Sequence, residues 1–304
     1  MRRPERWLFA PGDPRGPAAL RIGLCSLLAV RLARPLYLGL AGQPKVLFRP
    51  ISFMHLLGSM PSRPVTLAVQ VVGVAAAALA AAGMRARITL PVAWACGVFL
   101  NGMATSTGKV VHNDVVLLLA MVPLFAAPMA DAWSVERFVW RSHRVSIPMP
   151  STRYGWPVRT AMVVVVGAYF FTGFNKLVFS GPAWVTSGNL RWVLYAASDT
   201  RAHPDGFALF IADRPWLAHL LAGLTLATEL GFPLVLVRPK LAWFFVPSAI
   251  AMHAAIWGTL HLDYSAWAAT AVIVFVPWPV LADRLAAVRA TRASPRLPSR
   301  GRSG

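Results

Sequence analysis

The chain has 304 residues, of which 57% are hydrophobic and 13% charged, a balance that excludes a disordered, highly solvated polymer. Its formal charge of +19 would fit a nucleic-acid partner if the basic residues sat together on one soluble domain. They are instead scattered among turns and tails between apolar runs, so no nucleic-acid partner is expected.

The apolar runs are about 20 residues long, enough to cross ~30 Å of hydrocarbon. They are continuous blocks without the alternation of a membrane β-barrel, and in lipid only helices then satisfy the backbone. The expected fold class is therefore all-α, a polytopic integral membrane helix bundle. In chain order, residues 1–17 form a basic tail with Arg2, Arg3, Arg6 and Arg15. No short apolar region with a small-residue cleavage site precedes the first long run, so the tail reads as cytoplasmic and not as a removed signal peptide. Spans are expected at 18–40, 65–84, 88–107, 110–129, 157–177, 216–237, 241–260 and 265–281, which makes eight. Together they form one transmembrane domain, 18–283, followed by a flexible basic tail, 284–304. There is no internal repeat.

Orientation follows from the basic residues of the connections. The N-terminal arginines, Arg85 with Arg87, the group Arg137, Arg141, Arg144 and Arg153, the turn Arg238 with Lys240, and the tail Arg284, Arg289, Arg292, Arg296, Arg300 and Arg302 fall on one side of an eight-span chain. Positive-inside bias makes that side cytoplasmic, with both termini there, in a cell membrane. The opposite side receives the long loop 179–215. Within it 189–197 suits an amphipathic helix in the interface, anchored by Trp192, Leu194 and Tyr195. Cys25 and Cys96 both lie inside apolar runs without metal-ligand spacing, so buried free thiols and no metal are expected.

The polar residues left in or beside the spans are the candidates for function. His112, Asn113 and Asp114 open the fourth span; Lys176 ends the fifth; Glu229 lies inside the sixth; His253, Trp257 and His261 share one broad face of the seventh. On that shared face His253, Trp257 and His261 can line one cavity, and a rise of ~1.5 Å per residue puts Glu229 and His253 at depths about 6 Å apart, close enough for a contact. A lysine at the edge of hydrocarbon either snorkels to the surface or serves a site. Two bland readings stand beside the functional one. Asn113 and Asp114 suit a helix cap, and Glu229 suits an intramembrane ion pair with Arg21 or Arg31. His55, His203 and His219 are at home in the interface as amphipathic rings.

The pattern Tyr169-Phe170-x-x-Gly173-x-x-Lys176-Leu177 with Trp184 and Gly188, the His112–Asn113 pair followed by Asp131-Ala132-Trp133-Ser134, and His253 in the seventh span carry a resemblance. Over most of its length, about 20–281, the chain resembles the horizontally transferred transmembrane domain family, the membrane region of vitamin K-dependent gamma-carboxylase and its bacterial relatives. The resemblance implies that Lys176 is the base that deprotonates a reduced quinone. It further implies that His112 stabilises the developing oxyanion and that His253 lines the quinone pocket, where His261, Trp257, Asn113 and Glu229 are expected beside it as cofactor-binding residues. The implied cofactor is reduced menaquinone or a vitamin K-like quinone; the partners are the lipid bilayer and a small or peptide substrate. Asn175 stands where the carboxylase has a second lysine, and the chain ends soon after its last expected span. Propeptide-directed glutamate carboxylation is therefore not expected. The leading expectation is a quinone-linked oxidoreductase or carboxylase-like enzyme. The alternatives are a non-enzymatic membrane protein that binds lipid or a partner peptide, of the toxin export or immunity type, and a transporter.

Overall fold

The computed structural model describes residues 3–109, 111–140, 147–199 and 206–293. Arg2, Arg141, His143, Arg144, His203, Arg296, Arg300, Arg302 and most of the C-terminal tail lie outside the described residues. Among the described residues every regular element is helical, and the only extended pairings are isolated bridges, Gly12 with Ser151 and Arg49 with Thr107.

The principal helices are α1 (Arg15–Leu32), α2 (Arg63–Ala82), α3 (Ala86–Thr105), α4 (Val115–Met121), α5 (Thr152–Ser180), α6 (Asn189–Asp199), α7 (Gly206–Ala212), α8 (Pro215–Gly231), α9 (Ala242–Leu260), α10 (Ser265–Phe275) and α11 (Trp278–Ala293). Among the described residues, five helical stretches are long and apolar enough to cross a membrane, or up to seven if each bent pair counts as one span. The bent pairs are α7 with α8, at 96°, and α10 with α11, at 68°. The expected fourth span is met by a shorter apolar stretch, Val115–Ala126, in which the α-helix gives way to a 3-10 turn at Pro123. Proline lacks the N–H that an α-helix needs and clashes with the preceding turn, which accounts for the change. This is the architecture of a multi-pass helical membrane protein.

Helix α1 lies at the centre. Its Leu20, Leu24, Leu28 and Leu32, four apart and so on one face, are at most 2% exposed. They pack in one core with residues of α2 to α5, α9 and α10. Outward faces are apolar instead of polar: Leu67, Val71 and Leu79 on α2, and Trp243, Phe244 and Ile250 on α9, are exposed. In water such surfaces would be costly; against acyl chains they are not. Cys25 is buried, Cys96 half-buried, and both are free thiols.

One end of the bundle gathers the basic connections. Arg15 pairs with Asp13 and Asp283, Arg153 with Asp131, and the Arg85 backbone N–H donates to Glu136, while Gly12 bridges to Ser151 beside the start of α5. Lys176 lies on the same helix α5, about 36 Å further along at ~1.5 Å per residue. It therefore belongs to the opposite end. There α6, the helix expected in the loop, forms over Asn189–Asp199, but only part of its expected orientation holds. Trp192 is 71% exposed, whereas Leu194 is buried against Ala208, Ile211 and Ala218, and Tyr195 donates to Asp213. Leu194 thus anchors α6 to protein and not to lipid.

Candidate functional site

At the end of the bundle remote from the basic connections, three helices each present one face, carrying one or a few polar side chains, to a common cavity of about 330 Å³. Helix α5 contributes Tyr169, Thr172 and Lys176; α8 contributes Ala222, Thr225 and Glu229; α9 contributes Met252, His253, Ile256 and Leu260. The spacings of three, four and seven residues keep each set on one helical face. His112, Tyr264 and Trp267 close one wall, and Trp184 with α6 residues Asn189, Leu190 and Val193 closes another.

Lys176 Nζ lies 2.5 and 2.7 Å from the two carboxylate oxygens of Glu229. The side chains are 19% and 5% exposed, so this ion pair is largely withdrawn from water. The indole ring of Trp184 lies 5.0 Å from Nζ, within reach of a cation–π attraction. The close approach of α5 to α8 depends on Gly173: a Cβ there would stand 2.8 Å from Glu229 Cβ. Glycine in the family-like pattern is thus where the two helices need to come together, one turn before the lysine. Glu229 is not the partner of Arg21 or Arg31. Arg21 donates to the carbonyls of Met129 and Trp133, and Arg31 to Asp114 and Asp263.

His253 Nε2 shares a 3.0 Å hydrogen bond with the Tyr169 hydroxyl. Tyr169 in turn is stacked on Phe232, with ring centroids 4.5 Å apart, and meets Trp267 edge-on at 5.5 Å. His112 Nε2 shares a 2.9 Å hydrogen bond with the Tyr264 hydroxyl. Two buried polar atoms of lining residues, His253 Nδ1 and Trp184 Nε1, have no hydrogen-bond partner among the described residues. Unsatisfied buried polar atoms are rare in folded proteins and call for an explanation.

Beneath His112 a second polar cluster fixes the wall. Arg31 donates to Asp114 and Asp263, each at 2.5 Å, and Arg34 to the same two carboxylates, each at 3.0 Å. Asn113 donates to the Asp263 carbonyl at 2.6 Å, and Trp267 to the His112 carbonyl at 3.1 Å. For Asp263, burial raises the carboxyl pKa, but the Ser265 hydrogen bonds and the Arg31 guanidinium outweigh it and bring the pKa down to about 2. Asp114 stands at the N-cap of α4 but makes no capping hydrogen bond there. Its carboxylate serves the arginines instead.

Of the residues singled out in the sequence, Lys176, Glu229, His112 and His253 meet at the cavity. Asn113 stands behind it as a link to the 261–264 turn. Trp257 and His261 are not in the lining. Each residue turns a helix by ~100°, so a step of four drifts about 40° and a step of eight about 80°. The cavity-facing stripe of α9 is centred on Ile256, which leaves Trp257 61% exposed on the outer side. His261 lies past the helix end, at φ 53°, with its ring on the Trp257 carbonyl.

The sequence reading gave no role to Tyr264, Trp267, Thr172 or the Arg31–Arg34–Asp114–Asp263 cluster. Thr172 was within reach, since it lies on the Tyr169–Lys176 stripe; the others join segments far apart in the chain. Among the described residues, no three His, Cys, Asp or Glu side chains come together as a metal site. No family model, curated protein or solved structure matches the chain.

Proposed function

We propose that this chain is a membrane enzyme of the horizontally transferred transmembrane domain type. In this reading it crosses the membrane eight times with both termini in the cytoplasm, and the Lys176–Glu229 pair acts as the proton acceptor in an outward-facing pocket. One observation carries the reading: a lysine–carboxylate pair largely withdrawn from water lines the same cavity as His112 and His253. Structural ion pairs do not need a cavity beside them.

Lysine 176 is not an isolated amine. Moving one proton from Nζ to Glu229 turns an ion pair into two neutral groups and exposes the amine lone pair, without changing the net charge of the site. The pair then takes a proton from a bound hydroxyl, with Nζ as the accepting atom. His112, held by Tyr264, offers a ring edge to the oxygen that becomes negative, and preorganised dipoles of this kind are an effective form of transition-state stabilisation. The aromatic walls Tyr169 and Trp267 and the aliphatic side chains Met252 and Ile256 exclude water and suit a flat apolar ring.

A reduced menaquinone or related quinone fits this lining, and when bound it would supply an acidic hydroxyl and two reducing equivalents. The substrate class is a small molecule or a peptide reached from the pocket's side of the membrane. The test is purification in mild detergent followed by mass spectrometry of extracted lipid. The expected outcome is a stoichiometric quinone that is lost in Lys176→Ala while the variant still elutes as a folded protein. A wild-type preparation with no quinone, or full retention in the variant, refutes the assignment and favours the alternative in which the pair only ties α5 to α8 in a lipid- or peptide-binding protein.

A further inference from the structure

A second and larger crevice, of about 590 Å³, opens at the opposite end of the bundle. It is bounded by the start of α1, the first turns of α5 and α9, and the bend between α10 and α11. Its walls are apolar: Val158 and Met162 of α5 face Val246 of α9 and Phe275 of α10. The spacing along α9 is informative. Trp243 and Val246 lie three apart in its first turns, and Lys240 stands in the 3-10 turn Pro239–Leu241 just before it, so a cation, an indole and an apolar residue all line the crevice.

Charges at the rim divide into satisfied and unsatisfied. Asp13 is hydrogen-bonded by Arg15 at 2.7 Å. Arg159 donates to the carbonyls of Ala10, Leu8 and Pro11. Lys240 is exposed and has no carboxylate partner among the described residues. Trp243 beside it is 78% exposed. An indole next to a lysine at a bundle end is the composition of the bilayer's interfacial layer. The volume falls within the roughly 300–1,000 Å³ of small-molecule sites, and the lining charges without a carboxylate partner among the described residues, Lys240 and Arg159, are both positive.

We propose that this crevice binds one anionic glycerophospholipid, its phosphate against Lys240 and an acyl chain between Val158, Met162 and Val246. The site is separate from the Lys176 cavity and does not depend on the reading of that cavity. Charge complementarity selects the headgroup; the apolar walls select a chain. An acidic peptide would satisfy the lysine but leave the walls uncovered, and a neutral lipid would cover the walls but leave the lysine unpaired.

The test uses the full-length chain in nanodiscs of equal parts phosphatidylglycerol and phosphatidylcholine, released into the gas phase for native mass spectrometry. Wild-type protein is expected to retain phosphatidylglycerol over phosphatidylcholine by about fivefold, the worth of one basic residue at an anionic surface. Lys240→Glu brings that ratio to one or below, while Val158→Trp removes retained lipid of both kinds from this crevice. Arg214→Glu, at the remote end, serves as the control and leaves the ratio unchanged. Equal retention of the two lipids by wild-type protein overturns the proposal, as does a ratio insensitive to Lys240→Glu. If Val158→Trp does not fold, Met162→Trp tests the same wall.

Discussion

Removing one member of the Lys176–Glu229 pair leaves a charge with no partner at a site where Glu229 is 5% and Lys176 19% exposed. At an effective dielectric of ~20, charges about 2.6 Å apart attract by roughly 6 kcal/mol, and desolvation of both groups offsets much of this. The net contribution is therefore small, but the cost of breaking the pair is not: a buried charge left alone costs about 3–5 kcal/mol. Lysine 176 keeps part of its stem near the surface and recovers some hydration, so Lys176→Met, which strands the glutamate, is expected at the upper end of that range. Glu229→Gln, which strands the lysine, is expected at the lower end. The double substitution removes both charges and is expected to cost about 1 kcal/mol or less, because neither group is then left alone. The assay is reversible unfolding in mixed micelles for the four proteins of the cycle, with the coupling energy taken as the departure from additivity. A coupling of about 3 kcal/mol or more is expected. Single substitutions that each cost under ~0.5 kcal/mol and simply add would show that the pair is solvated, and the proposed proton-acceptor unit would fall with it.

Two further outcomes follow from the same geometry. Gly173→Ala places a methyl 2.8 Å from Glu229 Cβ and forces α5 and α8 apart, at a cost of about 1–3 kcal/mol typical of overpacking; thermal unfolding measures it, and an unchanged midpoint would show that the helices adjust freely. The Ser265 hydrogen bonds and the Arg31 guanidinium outweigh burial and hold the Asp263 carboxyl down at about 2, below the ordinary 3.8. A depressed carboxyl pKa stabilises the fold above the unfolded value, so this contribution is complete above about pH 4 and fades as pH falls toward 2. Unfolding midpoints measured at pH 5 and pH 2.5 are expected to differ less in Asp263→Asn than in wild type; an equal difference would show that Asp263 is not held by Ser265 and Arg31.

Much of the site was legible in the chain because helical periodicity is a local property. Tyr169, Thr172, Gly173 and Lys176 lie on one stripe wherever the helix goes, and rise alone brings His253 within about 6 Å of the depth of Glu229. Projection along a single helix failed at Trp257 and His261, since a wheel fixes relative angles and not which angle points inward. It also misassigned the partner of Glu229. Arg31 had a suitable position in the first span, but Asp114 and Asp263 approach it from two turns that the sequence treats as unrelated.

Length, apolar blocks and the spread of basic residues by themselves determined a helical chain built for a bilayer, with its basic turns at one end and Lys176 at the other. Those features depend on composition and on distance along a helix, which each segment carries alone. Tertiary packing decided that Lys176 meets Glu229, that His253 bonds to Tyr169, and that the space between them is hollow. The physical reason is that a pair between residues 53 apart depends on how α5 and α8 rotate and close upon each other at Gly173, and that rotation is set by all the neighbouring helices at once.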